Sequence, residues 1–197
     1  MPPYPFMQWY FLGISTVLTP VSILYFDEPV QKAFQNHQNP YNDHFFKTVN
    51  YAGDGLFVSS ALVLFGAYGY VKRDTAIINL SKAGILGFAT SGISTVALKV
   101  LFGRARPYLN KGPYEFSPFN LKDDYNSLPS GHTAVAFSVA GVVWRRVDNK
   151  FIRFSSLTLA TSVGLARIYL NRHWLSDVIL GAGLGFTTGY ISAGFVK

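Results

Sequence analysis

The chain has no cysteine. Disulfides, thiolate metal sites and any cysteine nucleophile are therefore excluded. Charge is also scarce, at 14% of 197 residues, against about 25% in a soluble domain. The deficit points to lipid as part of the solvent. Acids are the scarcer sign, 10 against 17 Lys and Arg, so the net charge is +7. A basic excess can serve nucleic acid. Here the cations form no single stripe but sit in short loops between apolar runs, so no nucleic-acid partner is expected. There is no internal repeat and no low-complexity tract. Met1 to Phe26 has no basic start and no small-residue cleavage pattern, so it reads as a retained first span rather than a signal peptide.

About half of the chain is apolar, and it carries 17 Phe and 12 Tyr, as suits interfacial aromatic belts. Its length suits one domain, residues 1–197. A helix needs about 20 mostly apolar residues to cross a bilayer. Six segments approach this: Gln8 to Phe26 with Pro20 inside, Gly55 to Val71, Thr75 to Phe102, His132 to Val147, Phe151 to Leu170, and Trp174 to Val196. Asp27 to Asp54 reads as two short helices on the membrane surface. Gly103 to Ser130 reads as a long loop with four prolines, and long loops are often functional. The expectation is an all-α, six-transmembrane helix bundle with short interfacial helices. Gly181, Gly185 and Gly189 recur every four residues, a spacing for close helix packing in lipid.

Six spans put both termini on one side. Lys72, Arg73, Arg145, Arg146, Lys150 and Lys197 gather in short loops on that side, which the positive-inside rule makes cytoplasmic. The opposite face receives three notable segments: Lys99 to Pro107 (K-V-L-F-G-R-A-R-P), Pro129 to His132 (P-S-G-H), and Arg167 to Asp177 (R-I-Y-L-N-R-H-W-L-S-D).

His173 and Asp177 are four apart and would share a helix face. An Asp beside a His fixes its tautomer and leaves one nitrogen as a directed lone pair, which suits a nucleophile or base. Alone, the pair reads more readily as a helix start at the membrane edge. Lys99, Arg106 and Arg167 change the balance. Single cations at span ends commonly snorkel, but three converging on one face require an anion, and Arg and Lys suit phosphate. Ser130, Gly131 and the amides opening the fourth span would bind phosphate oxygens. His132 would then lie where a proton donor to the leaving group belongs. His37 and His44 read as surface residues rather than metal ligands. Arg104, Lys111 and Arg172 read as electrostatic guides for anionic head groups, Asp123, Asp124 and Tyr125 as solvated loop, and Trp174 as an interfacial anchor.

Taken together, K-x6-R-P, P-S-G-H and R-x5-H-x3-D resemble the three-part signature of the type 2 phosphatidic acid phosphatase superfamily, which also includes the vanadium haloperoxidases. The motifs cover Lys99 to Asp177, and the span layout resembles the membrane branch throughout. Ala166 stands where that family usually has Ser, which removes one possible hydroxyl ligand. The resemblance implies His173 as nucleophile, Asp177 as its orienting partner and His132 as acid and then base. It implies Lys99, Arg106, Ser130, Gly131 and Arg167 as the phosphate-binding set, with no metal or other cofactor. The implied substrate is a phosphorylated membrane lipid, met from the bilayer on the periplasmic or outer face of a bacterial inner membrane. Candidates are a polyprenyl pyrophosphate, phosphatidylglycerophosphate, phosphatidic acid or lipid A phosphate. A lipid phosphotransferase is the alternative, and an anion transporter a more distant one. Oligomeric state is not specified by the sequence.

Overall fold

The computed structural model describes residues 6–197. Residues 1–5 of the expected domain lie outside the described residues. Among the described residues eight α-helices follow one another: α1 (Met7–Tyr25), α2 (Asp27–Asn36), α3 (Pro40–Asn50), α4 (Gly55–Lys72), α5 (Thr75–Phe102), α6 (Gly131–Arg146), α7 (Lys150–Tyr169) and α8 (Leu175–Phe195). Among the described residues there is no β-strand, only one isolated bridge between Arg104 and Phe116.

The helix starts are written in local chemistry. Asn39, Asp54, Asp74 and Asn149 each cap the next helix through a side-chain oxygen, which satisfies an amide that lacks an intrahelical partner. The α5 helix ends at Gly103, at φ +56. A Cβ there would lie 1.7 Å from the Ser117 carbonyl oxygen, so only glycine allows the tight exit that delivers Arg104 straight back onto the bundle. Pro20 lies inside α1 without ending it.

Four helices, α1, α4, α5 and α8, are long and apolar enough to cross a membrane. At about 1.5 Å per residue, the 28 residues of α5 outrun a hydrocarbon core of about 30 Å. The α6 and α7 helices differ from the expected spans. With 16 residues, α6 is short, and α7 carries Lys150, Arg153 and Arg167. Large apolar side chains stand exposed along the outer faces, including Ile14, Val17, Leu64, Ile93, Phe154 and Leu159. A soluble monomer rarely exposes so much apolar surface; an integral membrane protein presents it to lipid.

The core lies around α8, which packs against α1, α5 and most extensively α6. Its glycines make the seam. A Cβ at Gly185 would lie 2.1 Å from the Ala134 oxygen, and one at Gly189 would lie 1.9 Å from the Ser138 oxygen. Gly181 faces the Ser130 oxygen in the same way. The two four-residue ladders, 181-185-189 and 130-134-138, thus lie backbone to backbone, as the glycine spacing anticipates. Since both obstacles are backbone, Gly189→Val is expected to lower unfolding free energy by about 1–3 kcal/mol. A reduced thermal midpoint in detergent checks this; an unchanged midpoint would mean that the seam is slack.

Candidate active site

The residues singled out from the sequence come from four places: the end of α5 and its following loop, the start of α6, the end of α7, and the start of α8. Each is built by its local structure.

At the start of α8, Trp174 is the N-cap residue and Asp177 the third helical residue. The Asp177 carboxylate accepts from the Trp174 amide at 2.9 Å, the return bond of a capping box. His173 therefore stands just before the helix, not on it. The expected shared helix face is corrected: the pair meets because Asp177 folds back over the helix start. Asp177 Oδ2 lies 3.4 Å from His173 Nδ1, longer than a formed hydrogen bond. Contacts of this kind often tighten only when substrate binds. The carboxylate leaves the other ring nitrogen, Nε2, unclaimed. Both side chains are buried. Burial holds the His173 imidazole well below its ordinary pKa, opposed by Asp177, and the nearby charges of Lys99 and Arg167 push the same way as burial. The shift favours the neutral ring, the form that nucleophilic chemistry would need.

Arg104 was read as an electrostatic guide; the structure corrects this. Its side chain is fully buried and bridges two carboxylates, Asp27 at 2.7 Å and Asp177 at 2.7 Å. It also donates to the Pro113 carbonyl. Asp27 sits at the α1–α2 junction and accepts from the Ser176 amide at 2.8 Å and its hydroxyl at 2.6 Å. Ser127 donates to Asp177 Oδ2 at 2.5 Å. Asp27, Arg104, Ser127 and Ser176 were missed as site residues. A signal existed for two of them: an ionisable residue at the end of an apolar span is a functional candidate, and that rule applies to Asp27 and Arg104 as well as to Lys99.

The Gly103–Ser130 loop is not loose. It carries short 3-10 turns at Pro107–Leu109 and Asp123–Tyr125. Arg106 donates to the Asp123 carboxylate at 2.7 Å and to its carbonyl at 3.0 Å. Lys99 donates to the Asn126 carbonyl. Tyr108 donates to Asp124, and Lys111 to the Tyr125 hydroxyl. Asp123 and Asp124 are exposed, as expected of a solvated loop, and Tyr125 is half-buried; in addition Asp123 and Tyr125 accept from the loop's cations Arg106 and Lys111, and Asp124 from Tyr108. Trp174 is also corrected. It is buried, donates Nε1 to the Ala105 carbonyl at 3.0 Å and faces the Arg104 guanidinium. Exposed Arg172 lies over the Tyr108 ring.

Near the end of α7, Arg167 donates to the Asn50 side chain at 2.7 Å. Asn50 is presented by α2 and α3, which form the two short helices expected over Asp27 to Asp54. They are anchored on the same end of α7: Gln35 and Gln38 donate to its last carbonyls, and the Tyr169 hydroxyl donates to Asp43 at 2.6 Å. His37 and His44 are exposed.

At the start of α6, Ser130 is fully buried. Its amide donates to the Asp177 carbonyl at 2.9 Å, and its hydroxyl accepts from Thr133 at 2.9 Å. The Ser130 amide is thus already used, whereas the amides of Gly131, His132 and Thr133, the first three of the helix, lack intrahelical acceptors. Gly131 lies against the Lys99 stem. His132 Nε2 is 4.0 Å from Asp54, and His132 senses Arg167, Lys99 and Arg106 together. All eight expected residues therefore occupy one neighbourhood: Lys99, Arg106, Ser130, Gly131, His132, Arg167, His173 and Asp177. Among the described residues no group of three or more His, Asp or Glu is placed to hold a metal ion.

The model of the PAP2 superfamily matches residues 83–197. The chain belongs to the PAP2 superfamily. A lipid A 1-phosphatase of Porphyromonas gingivalis is 34% identical over 124 residues, 62% of this chain, and the chain spans about a quarter of that relative's length. Phosphatidylglycerophosphatase B of Bacillus subtilis is 25% identical, with 94% of this chain and 91% of that protein aligned. The crystal structure of a transmembrane PAP2-type phosphatidylglycerolphosphate phosphatase from Bacillus subtilis superposes with a TM-score of 0.76, at 22% identity over 96% of each chain. That likeness concerns the fold. The PAP2 match covers all eight site residues.

Asp123, with its side chain largely exposed, already pairs with Arg106, so an anion arriving at Arg106 would have to displace it. Partly exposed pairs are worth about 0.2–1 kcal/mol. Asp123→Ala is accordingly expected to tighten inhibition by inorganic phosphate or vanadate, by at most about fivefold. Weaker inhibition in that variant would instead mean that Asp123 aims Arg106 rather than competing for it.

Proposed function

We propose that this PAP2 protein hydrolyses a phosphate monoester or pyrophosphate on a membrane lipid. The observation that carries the reading is the convergence of Lys99, Arg106, Arg167 and His132 around His173, whose Nδ1 faces the buried Asp177. Phosphoryl transfer is mostly positioning and charge stabilisation. Three fixed cations and the α6 amides supply both.

The chemistry runs in two steps. His173 Nε2 attacks phosphorus, a P–N bond forms, and the P–O bond to the leaving group breaks. His132 gives its proton to the departing oxygen. Water then attacks phosphorus, passes a proton back to His132, and the P–N bond breaks to release inorganic phosphate. Lys99, Arg106, Arg167 and the Gly131 amide hold the non-bridging oxygens throughout, and Asp177 steadies the charged ring. Ser130 serves mainly through the helix start it fixes.

The lipid character of the substrate rests on the apolar belt, on the relatives and on the position of the site. The two most informative relatives are a lipid A phosphatase and a phosphatidylglycerophosphatase. The site lies at the ends of long apolar helices. A six-span, single-domain arrangement fits it. The α6 helix is almost wholly enclosed by α5, α7 and α8, so it needs little lipid-facing surface. The α7 helix turns Phe151, Ile152, Phe154, Leu159 and Leu165 outward. Arg145 and Arg146 cap the last carbonyls of α8 at the other end, consistent with cytoplasmic termini and a site on the outer face of a bacterial inner membrane.

With a 32P-labelled lipid phosphate in detergent, His173→Ala is expected to abolish both phosphate release and acid-labile labelling of the protein. His132→Ala should slow turnover by about 10²–10⁴-fold. Turnover by the folded His173→Ala protein would remove the nucleophile assignment. Vanadate, a mimic of five-coordinate phosphorus, should inhibit, and activity should persist in excess chelator. A strict requirement for an added divalent ion would contradict a mechanism built on the three cations.

A further inference from the structure

A fully buried polar cluster surrounds Asp177, and its other four members take no part in the steps above. Asp27, Arg104, Ser127, Ser176 and Asp177 all have essentially no exposure. They come from the α1–α2 junction, the α5–α6 loop and the start of α8. Such a cluster is a poor way to gain stability. Taking charges out of water costs several kcal/mol per ion before pairing, and an apolar substitute of similar volume is often as stable. Its placement, rather than its energy, is informative.

The cluster is built around the residue that faces the His173 ring. Asp177 Oδ1 accepts from Arg104 at 2.7 Å. Oδ2 accepts from the Ser127 hydroxyl at 2.5 Å and the Trp174 amide at 2.9 Å, and the same oxygen lies 3.4 Å from His173 Nδ1. Both oxygens are thus held and the carboxylate cannot rotate. Arg104 is itself held from behind. Asp27 pairs with its other terminal nitrogen at 2.7 Å, and Asp27 is fixed by the Ser176 amide and hydroxyl and by Ser22 at 3.1 Å. The planar fork of Arg can bridge two carboxylates in one fixed geometry, which a Lys cannot do.

We infer that Asp27, Arg104 and Ser127 are positioning residues for the reaction, which lock the orientation of the Asp177 carboxylate and through it the attacking direction of the His173 ring. The inference rests on His173 being the nucleophile. None of the three has any exposed surface to offer a substrate, so substrate binding is not their task. Misplacing a reacting group by about 1 Å can cost about 10²-fold in rate.

The test uses full-length protein in detergent and a lipid phosphate that the wild type hydrolyses. Asp27→Asn keeps the shape of the side chain and removes the charge behind Arg104; Ser127→Ala removes one hydroxyl from Asp177 Oδ2. Folding is checked by elution volume and thermal midpoint, and the readouts are kcat, KM and the rate of 32P labelling of His173. The expected result for both folded variants is a fall in kcat and in labelling rate by about 10–100-fold, with KM within about twofold of wild type. A purely structural role would lower the midpoint and leave kcat per folded molecule unchanged, and that result overturns the inference. So does a loss that lies wholly in KM. Should Asp27→Asn fail to fold, Ser127→Ala decides alone by the same criteria. His173→Ala is run alongside: if it still turns over, the nucleophile reading fails, whereas wild-type kcat in the other two variants with an inactive His173→Ala sinks only the positioning role.

Discussion

Arg104 is the point at which the separate parts of this protein are obliged to meet. It has no exposed surface and pairs with two equally buried carboxylates, Asp27 and Asp177. Two carboxylates at the start of one helix are stabilised in part by the helix dipole, but side by side they also repel. The guanidinium between them makes the arrangement possible. Removing one partner from such a group leaves an uncompensated charge, at a cost of about 3–5 kcal/mol. The requirement is geometric as well as electrostatic. Chain segments 77 and 73 residues from Arg104 must arrive at the same place. Once they do, the His173 ring, the Arg106–Asp123 pair and the Lys99 side chain have little freedom left.

The second constraint is the contact between α6 and α8. Their backbones approach so closely that any side chain on Gly185 or Gly189 would overlap a facing carbonyl. In lipid there is little hydrophobic drive for helices to associate, so close packing must supply the attraction. The same seam has a functional consequence. It carries the start of α6 against the start of α8, where the Ser130 amide donates to the Asp177 carbonyl. The amides at the start of α6 and the His173–Asp177 pair are thereby joined through one hydrogen bond and a run of small residues.

Not every inference from spacing held for the reason given. His173 and Asp177 do pair, but through a capping box at a helix start rather than along a helix face. The plain reading of a helix-start pair and the catalytic reading describe the same residues. The boundaries of α5 coincide with the sequence expectation, and the other long helices agree within a residue or so. Six apolar segments were read as spans, yet only four of the helices are apolar enough by themselves. The difference is physical: α6 is enclosed by other helices and tolerates Ser, Thr and Gly along its length. The loop was least legible. Arg104 and Trp174 were assigned to solvent or the interface, whereas each is buried and held by a partner distant in sequence.

The sequence by itself determined the helical class, the apolar segments, the glycine ladder and which eight residues are proposed for the site. These follow from local rules, because composition, residue spacing and motif order need no knowledge of which segments touch. Only the tertiary structure decided which cation is bound by which acid. Lys99, Arg104 and Arg106 lie within eight residues and are chemically alike, yet one is drawn to a loop carbonyl, one is sealed between two carboxylates, and one faces a carboxylate near the surface. Their roles diverge through burial and partner distance, and both are properties of the assembled bundle rather than of any segment within it.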